Sequence, residues 1–542
     1  MPQNPLGQAG DAARKPLAIQ MFLDDNNKSV VLGAPTDTPK VNNPFYEATE
    51  LDRKGDKAKA KEIYLQLLDA NFGNSVLCAA LGMLYCTMGR SGIAHNLLMQ
   101  ALARLDAGHM IEDFKVLGIT PKAADDGALA EFLIGKRSEI LNALGTTFKH
   151  ENRVPEARSL FEEAQSLIKP NADIQNNLGT LFINEGHPER ALPFLETAVR
   201  IDPQHAQAHW NRSLAWLEMG DYEHGFPEYD YGFKAGVRIE RNYGKEKLPN
   251  WDGTPGKRLV VYGEQGIGDE IMFMSMLPDL LRDCPDTVLE CHRNLHEIFA
   301  ASFPNIDIYP TREDQMLTWP LKPDGSKRYE FDAKISIGSL GQFYRRDIEA
   351  FPGTPYLRPP VDKEQQWAER LHALGNKPKI GLSWIGGHKR TRVEVRSLEL
   401  ERMLPILEAG RDKVDFISLQ YTPAEHEIEQ FTAKHGIPIH HWPEAVYNQN
   451  YGHTAGLVSN LDLVISVCTS VIHLAGAIGV PCWILTPSRP AWRYGLTLSH
   501  LPWYGHTCTL FRQKTDTTDW DPVVTELTES LKGMLNAFCI FF

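Results

Sequence analysis

Thr469, Ser470 and His473 are the residues whose types and spacing point most directly to chemistry. They lie in the stretch Asp462 to Thr486, which reads DLVISVCTSVIHLAGAIGVPCWILT. The β-branched run Leu463–Val467 stops at Cys468, Thr469 and Ser470, and Val471–Ile478 continues at helical spacing until Gly479 and Pro481. A second apolar run, Cys482–Thr486, completes a strand-loop-helix-strand unit. The three polar side chains therefore fall at a helix start. Free backbone N–H groups and the positive end of the helix dipole gather there, and two hydroxyls with an imidazole add hydrogen bonds suited to phosphate oxygens. The same residues also suit a purely structural role, with Thr469 and Ser470 as helix caps and His473 packed in a core. A membrane span is the other reading of so apolar a run, and the polar and helix-breaking residues spread through it exclude that.

A second strand-loop-helix lies upstream. Leu259–Tyr262 reads as a strand, Gly263-Glu-Gln-Gly-Ile-Gly-Asp269 as a loop, and Ile271–Leu281 as a helix. Glycines at 263, 266 and 268 do not match G-x-G-x-x-G, so a dinucleotide fingerprint is not supported. Gly266 and Gly268 instead let the backbone approach a partner closely, and Asp269 is presented at the helix start, where an N-cap is also favoured.

These motifs need a frame of alternating strands and helices. Further strands are expected at Val288–Cys291, Ile306–Tyr309 and Ala333–Ile337, and then, after a connection at Pro352–Pro360, at Lys379–Trp384, Asp415–Leu419 and Pro438–His440. Two such runs imply two doubly wound parallel sheets, whose ligands lie beyond the carboxyl ends of the strands. A helix at about Val523–Leu535 follows Asp519-Trp-Asp521, the only D-x-D in the chain, which reads as a helix cap rather than a metal site.

The N-terminal half is a different object. Leu144, Gly145, Phe148, Ala157, Phe161 and Ala164 recur 34 residues later as Leu178, Gly179, Phe182, Ala191, Leu195 and Ala198, and an earlier copy has Leu81, Gly82, Tyr85, Ala94, Leu98 and Ala101. A still earlier copy keeps Ala48, Leu51, Ala60, Tyr64 and Leu67. This resembles the tetratricopeptide repeat, a helix-turn-helix unit in which small residues let two helices approach. The copy from Ala206 departs after Gly220-Asp221 and reads as a capping repeat that docks on the next domain. Between Asp106 and Arg137 the consensus lapses, as an irregular helical insertion would make it do.

Composition bounds the setting. At 542 residues the chain is long enough for three or four domains. With 56 Lys plus Arg against 69 Asp plus Glu, the formal net charge is −13 and no block of like charge stands out, which argues against nucleic acid or anionic membrane as main partners. Eight cysteines without a C-x-x-C pair, several in apolar runs, fit reduced core residues and a cytoplasmic setting. The first forty residues carry no signal-type apolar region, and no transmembrane segment is expected. The organisation that results is a flexible arm at 1–40, repeats at 41–236, a linker at 237–258, a first α/β lobe at 259–360, a second at 378–515 and a terminal helix at 519–537.

GEQGIGDEIMFMSMLP in the first lobe and SVCTSVIHLAGAIGVP in the second together resemble the GT-B glycosyltransferases, in particular the heptosyltransferase-like group that bacteria fuse to tetratricopeptide repeats. The layout is also similar to that of O-linked N-acetylglucosamine transferases and flagellin glycosyltransferases. The resemblance covers about Val41 to Arg512. It implies an α-solenoid followed by a GT-B fold of two Rossmann-like lobes, and metal-independent, inverting transfer of a sugar from a nucleotide-sugar to an acceptor hydroxyl, with no cofactor beyond that co-substrate. The matching Asp in the heptosyltransferases is the base, which implies that role for Asp269. The terminal helix is expected to cross back onto the first lobe. Cys468 stands where the related pattern often has Asp.

Such transfer needs cations and donors around the departing diphosphate. Lys389, Arg392 and Arg396, on the loop after the first strand of the second lobe, suit that task with Thr469, Ser470 and His473, or else form a solvated face. Trp384 and Gln420, at strand ends, suit contact with a nucleobase, or else belong to the core. The acceptor is expected to be a protein held by the repeats, with a lipopolysaccharide or other glycan as the alternative. A rival reading makes the repeats an interaction scaffold attached to a degenerate nucleotide-sugar-binding module without turnover.

Overall fold

The computed structural model describes residues 30–33, 43–123, 125–243, 248–314, 317, 319–320, 328–387, 393–447, 451–514 and 519–538. The chain forms two compact units that interleave in sequence. One comprises Met1–Ala215 with Glu228–Arg238, and the other Trp216–Pro227 with Ile239–Phe542.

The first unit is built from antiparallel helix pairs: Pro44–Arg53 with Lys57–Ala70, Ser75–Thr87 with Ser91–Asp106, Asp126–His150 with Val154–Leu167, and Ala172–Glu185 with Pro188–Ile201. The 34-residue repeat has a steric cause. A Cβ on Gly82 would lie 2.8 Å from Leu98, on Gly145 2.6 Å from Phe161 and on Gly179 2.8 Å from Leu195, so each glycine is the socket for the large residue of its partner helix. Ala60, Ala94, Ala157 and Ala191, at the same position of successive copies, are all fully buried. The irregular segment holds a short helix, Met110–Val116, and a strand β2, Thr120–Ala123. That strand pairs antiparallel with β1, Val30–Gly33, so four residues of the stretch read as a flexible arm are a strand.

The second unit contains two parallel sheets. In the first lobe, β3 (Leu259–Tyr262), β4 (Thr287–Glu290), β5 (Ile308–Tyr309) and β6 (Ala333–Ser336) are ordered β5-β4-β3-β6. In the second, β7 (Lys379–Ser383), β8 (Asp415–Ser418), β9 (Ile439–His440), β10 (Leu463–Val467), β11 (Cys482–Thr486) and β12 (Cys508–Arg512) are ordered β12-β11-β10-β7-β8-β9. Most strand residues are buried, the edge strand β5 excepted, as expected when helices cover both faces of a parallel sheet. Strand order reverses between β3 and β6, and again between β7 and β10. Those switch points are where a ligand crevice opens in this architecture.

Two expectations are corrected here, and one strand is added. The helix read as Ile271–Leu281 is broken into Ile267–Phe273, a 3₁₀ turn Met274–Met276 and Leu277–Asp283, where Pro278 opens the last piece. The strand β12 has no counterpart among the expected ones. The terminal helix, Asp521–Phe538, packs on the second lobe and not the first: Val523, Val524, Leu527, Leu531 and Leu535 share one apolar core with Ile380, Leu382, Ile406 and Phe416. Asp519 accepts the N–H of Asp521 at 3.0 Å, and both carboxylates face Arg402.

Trp216–Pro227, part of the capping repeat read from Ala206, is built into the second unit. Phe226 fills the space that a side chain on Gly341 would occupy, its ring 2.3 Å from the position of that Cβ. Tyr222 packs on Phe351 with ring centroids 4.8 Å apart, and Glu223 pairs with Arg346 at 2.8 Å.

No helix among the described residues is long and apolar enough to cross a membrane.

Candidate functional site

The two motifs read from sequence meet. The helix Ile267–Phe273 follows the loop after β3, and the helix Ser470–Ile478 follows the loop after β10. They touch at their first turns: a Cβ on Gly268 would lie 3.0 Å from the His473 ring and 3.3 Å from the Ser470 Cα. A side chain at 268 would force these neighbours to give by a few tenths of an ångström. Gly266 occupies the cap position of the first helix, with Asp269 beside it in the first turn.

Asp269 has a partner that sequence reasoning missed. Its carboxylate is ion-paired with Arg493, and the side chains are only 19% and 16% exposed. Arg493 lies in the loop after β11, in a 3₁₀ turn Trp492–Tyr494. That loop carries no periodic pattern, so spacing gave no signal for it. Arg512 on β12 holds its backbone by donating to the carbonyls of Tyr494, of Gly495 at 3.1 Å and of Leu498 at 2.8 Å. Burial lowers the Arg512 pKa to about 10, and the proximity of Cys468 opposes this.

His473 is buried. Its Nδ1 lies 2.9 Å from the Tyr504 hydroxyl and its Nε2 3.4 Å from that of Tyr494. Burial, reinforced by the charge of Arg493, pushes its pKa well below the usual imidazole range, so the ring is neutral near pH 7. Thr469 caps its helix by accepting the Val471 N–H at 3.3 Å, and the Ser470 hydroxyl is hydrogen-bonded to that of Tyr451. Cys468 is buried with its thiol 3.8 Å from the Leu485 carbonyl, and burial raises its pKa to about 11.

On the neighbouring strand β7, the loop Trp384–Gly387 runs alongside this turn. A Cβ on Gly386 would meet the Cys468 carbonyl at 3.1 Å and that of Arg396 at 3.3 Å. Arg396, half-buried, therefore has its backbone beside the turn. Lys389 and Arg392 lie outside the described residues. Trp384 and Gln420 are both fully buried. The Trp384 indole donates to Glu427 at 3.0 Å, while Gln420 Oε1 accepts from Ser383 Oγ, Trp384 N and Ile385 N at 3.0–3.2 Å. Gln420 thus shapes the loop from beneath. The exposed Tyr421 next to it donates to the Gly387 carbonyl at 2.9 Å.

In the first lobe Glu270 is buried behind Asp269, accepting from Arg312 at 2.6 Å and from the His292 N–H at 2.8 Å. Burial raises its pKa to about 7 against the opposing effect of Arg312. The same carboxylate explains Gly263, whose Cβ would fall 2.2 Å from Glu270 Oε2.

The fold and this site define a tetratricopeptide-type helical array joined to a two-lobed parallel α/β unit. Residues 172–205 match the tetratricopeptide repeat. Protein FlbA of Caulobacter vibrioides is 30% identical over 305 residues, 54% of this chain and 50% of FlbA, so the chain spans about half the length of that curated relative. Similar solved structures include a glycosyl transferase family 9 protein from Veillonella parvula (14% identity, 52% of this chain and 99% of that one, TM-score 0.38) and the ADP-heptose LPS heptosyltransferase II of E. coli (11%, 51% and 99%, TM-score 0.34). An O-GlcNAc transferase mutant from Thermobaculum terrenum aligns over 85% of this chain and 93% of its own, at 12% identity and TM-score 0.28.

Proposed function

We propose that the second unit is a glycosyltransferase that moves a sugar from a nucleotide-sugar to an acceptor hydroxyl, and that the helical repeats recruit a protein acceptor. The observation that supports this reading is the junction of two strand-loop-helix motifs at the switch points of two parallel sheets, with a carboxylate from one lobe, Asp269, beside cationic and hydroxyl-bearing loops of the other. In this reading the donor diphosphate lies against the start of the Ser470 helix, held by the Thr469 and Ser470 region, by Arg396 and by the loop that carries Lys389 and Arg392. His473, braced by two tyrosines, fixes the position of that helix start. The Asp269 carboxylate takes the proton of the acceptor hydroxyl as its oxygen bonds to the anomeric carbon. The bond from that carbon to the diphosphate breaks, and the diphosphate leaves with the electron pair. The chemistry is metal-independent and inverts the anomeric centre, since attack comes from the face opposite the leaving group. Buried thiols agree with a cytoplasmic setting.

Thermal unfolding of the full chain against UDP, GDP, ADP, CMP and their sugars tests the donor half. A ligand at a hundred times its dissociation constant stabilises the unit that binds it by about 2.7 kcal/mol. One responder, followed by label transfer from the matching sugar, supports the reading. The absence of any shift across the panel refutes it.

A further inference from the structure

The Asp269–Arg493 pair has a feature that a simple ion pair between lobes would not need. Its arginine projects from a backbone held on both sides. Arg512 engages the carbonyls of Tyr494, Gly495 and Leu498, while Trp492 packs near Phe273 and Trp503 with ring centroids 6.3 and 6.4 Å apart. The backbone that carries Arg493 is therefore anchored, and its guanidinium lies over the Trp492 ring, 5.9 Å from the centroid. The contacts also form a closed circuit. Gly268 touches Ser470, Asp269 follows Gly268, Arg493 pairs with Asp269, Tyr494 follows Arg493, and the Tyr494 hydroxyl reaches His473 one turn along the helix that Ser470 begins. The guanidinium is paired with the candidate base, and its charge reaches His473 on the helix whose start is the candidate phosphate position, where it adds to burial in lowering the His473 pKa.

Resting on the glycosyltransferase reading, we infer that Arg493 is shared between two anions: it pairs with Asp269 when the donor site is empty and transfers to the donor diphosphate when a nucleotide-sugar binds, leaving Asp269 open to the acceptor hydroxyl. A diphosphate carries more charge than one carboxylate and accepts from a guanidinium in bidentate fashion, so the exchange is favourable once it is bound. It also orders the reaction. The base is uncovered only after the donor is in place, which protects a nucleotide-sugar-free site from unproductive acceptor binding.

The exchange makes a prediction of sign. If Asp269 competes with the donor for Arg493, removing the carboxylate strengthens donor binding, because the binding-competent arginine no longer has to be released. Calorimetric titration of the full chain with UDP, GDP and ADP is the test, with the monophosphate CMP as comparison. Asp269→Asn is expected to bind the responding diphosphate about three- to tenfold more tightly than the wild type, Arg493→Gln at least about tenfold more weakly, and Arg493→Lys between Gln and wild type. Asp269→Ser replaces the Asn variant if that one does not fold. Affinity that is unchanged or reduced in the Asp269 variants, or unchanged in Arg493→Gln, overturns the exchange while leaving the glycosyltransferase reading intact. Failure of the wild type to bind any of the four nucleotides overturns both.

Discussion

The carboxylate of Asp269, in the first turn after β3, is ion-paired with the guanidinium of Arg493, which reaches it from the loop after β11 in the opposite lobe. Both are largely sheltered from solvent. If Asp269 is the base, Asp269→Asn lowers the transfer rate by a factor of about 10²–10⁴ while nucleotide binding persists. Transfer at the wild-type rate by that variant would remove Asp269 from the chemistry.

Glu270, the next residue, makes the stability of the second unit depend on pH. Its carboxyl is raised to about 7 in the folded state from an ordinary value of 4.5, so the native chain holds a proton that the unfolded chain has lost. Stability from this group is therefore largest below pH 4.5 and falls as pH rises toward 7, at no more than about 1.4 kcal/mol per pH unit. Glu270→Gln is expected to flatten that slope in denaturant titrations between pH 5 and 7. An equally steep slope in the variant would assign the effect to another group.

In the first unit Asp52 is 1% exposed and neither carboxylate oxygen has a hydrogen-bond partner among the described residues. Burial raises its pKa to about 6, with Lys57 acting the other way. Asp52→Leu removes that desolvation cost and should stabilise the repeats at pH 8 by about 1–3 kcal/mol, with less gain at pH 4, where the native carboxyl is already neutral. A loss of stability at pH 8 would show that the carboxylate is satisfied in solution.

Two glycines of one helix, Asp126–His150, should respond oppositely to alanine. A Cβ at Gly145 collides with Phe161 at 2.6 Å, whereas at Gly135 it meets nothing within 4 Å among the described residues. Gly145→Ala is expected to destabilise the unit by about 1–3 kcal/mol and Gly135→Ala to stabilise it by about 0.5–1 kcal/mol. Chemical denaturation of the two variants, read side by side, would expose any error in the packing assigned to the repeat.

These cases also mark how far the structure was legible in the chain's residues alone. Period-34 recurrence carried the repeats because each copy must solve the same packing problem, a small residue (Ala48, Gly82, Gly145 or Gly179) facing a large one on the partner helix. The strands β3, β7, β10 and β11 fell where apolar β-branched runs stood, since both faces of a parallel sheet are covered. Arg493 was not legible: its loop is set by Arg512, whose bond to the Tyr494 carbonyl spans 18 positions that no local pattern encodes. The seat of the terminal helix was hidden for a similar reason. Its apolar stripe demands a partner surface without specifying which lobe provides it. Trp384 and Gln420 show a third limit, because a strand end can face a ligand or the core and the residue type alone does not decide.

The chain crosses between its two units three times, since Trp216–Pro227 is built into the α/β unit while Glu228–Arg238 returns to the helical one. No single cut separates them. A break in the polar stretch after Arg238 would leave the α/β unit without Phe226 and Tyr222, uncovering the surface around Gly341 and Phe351. For heredity as much as for proteolysis, the boundary between the two units is therefore not one point in the sequence: gene rearrangement that joined this α/β unit to a foreign array would have to carry Trp216–Pro227 along with it.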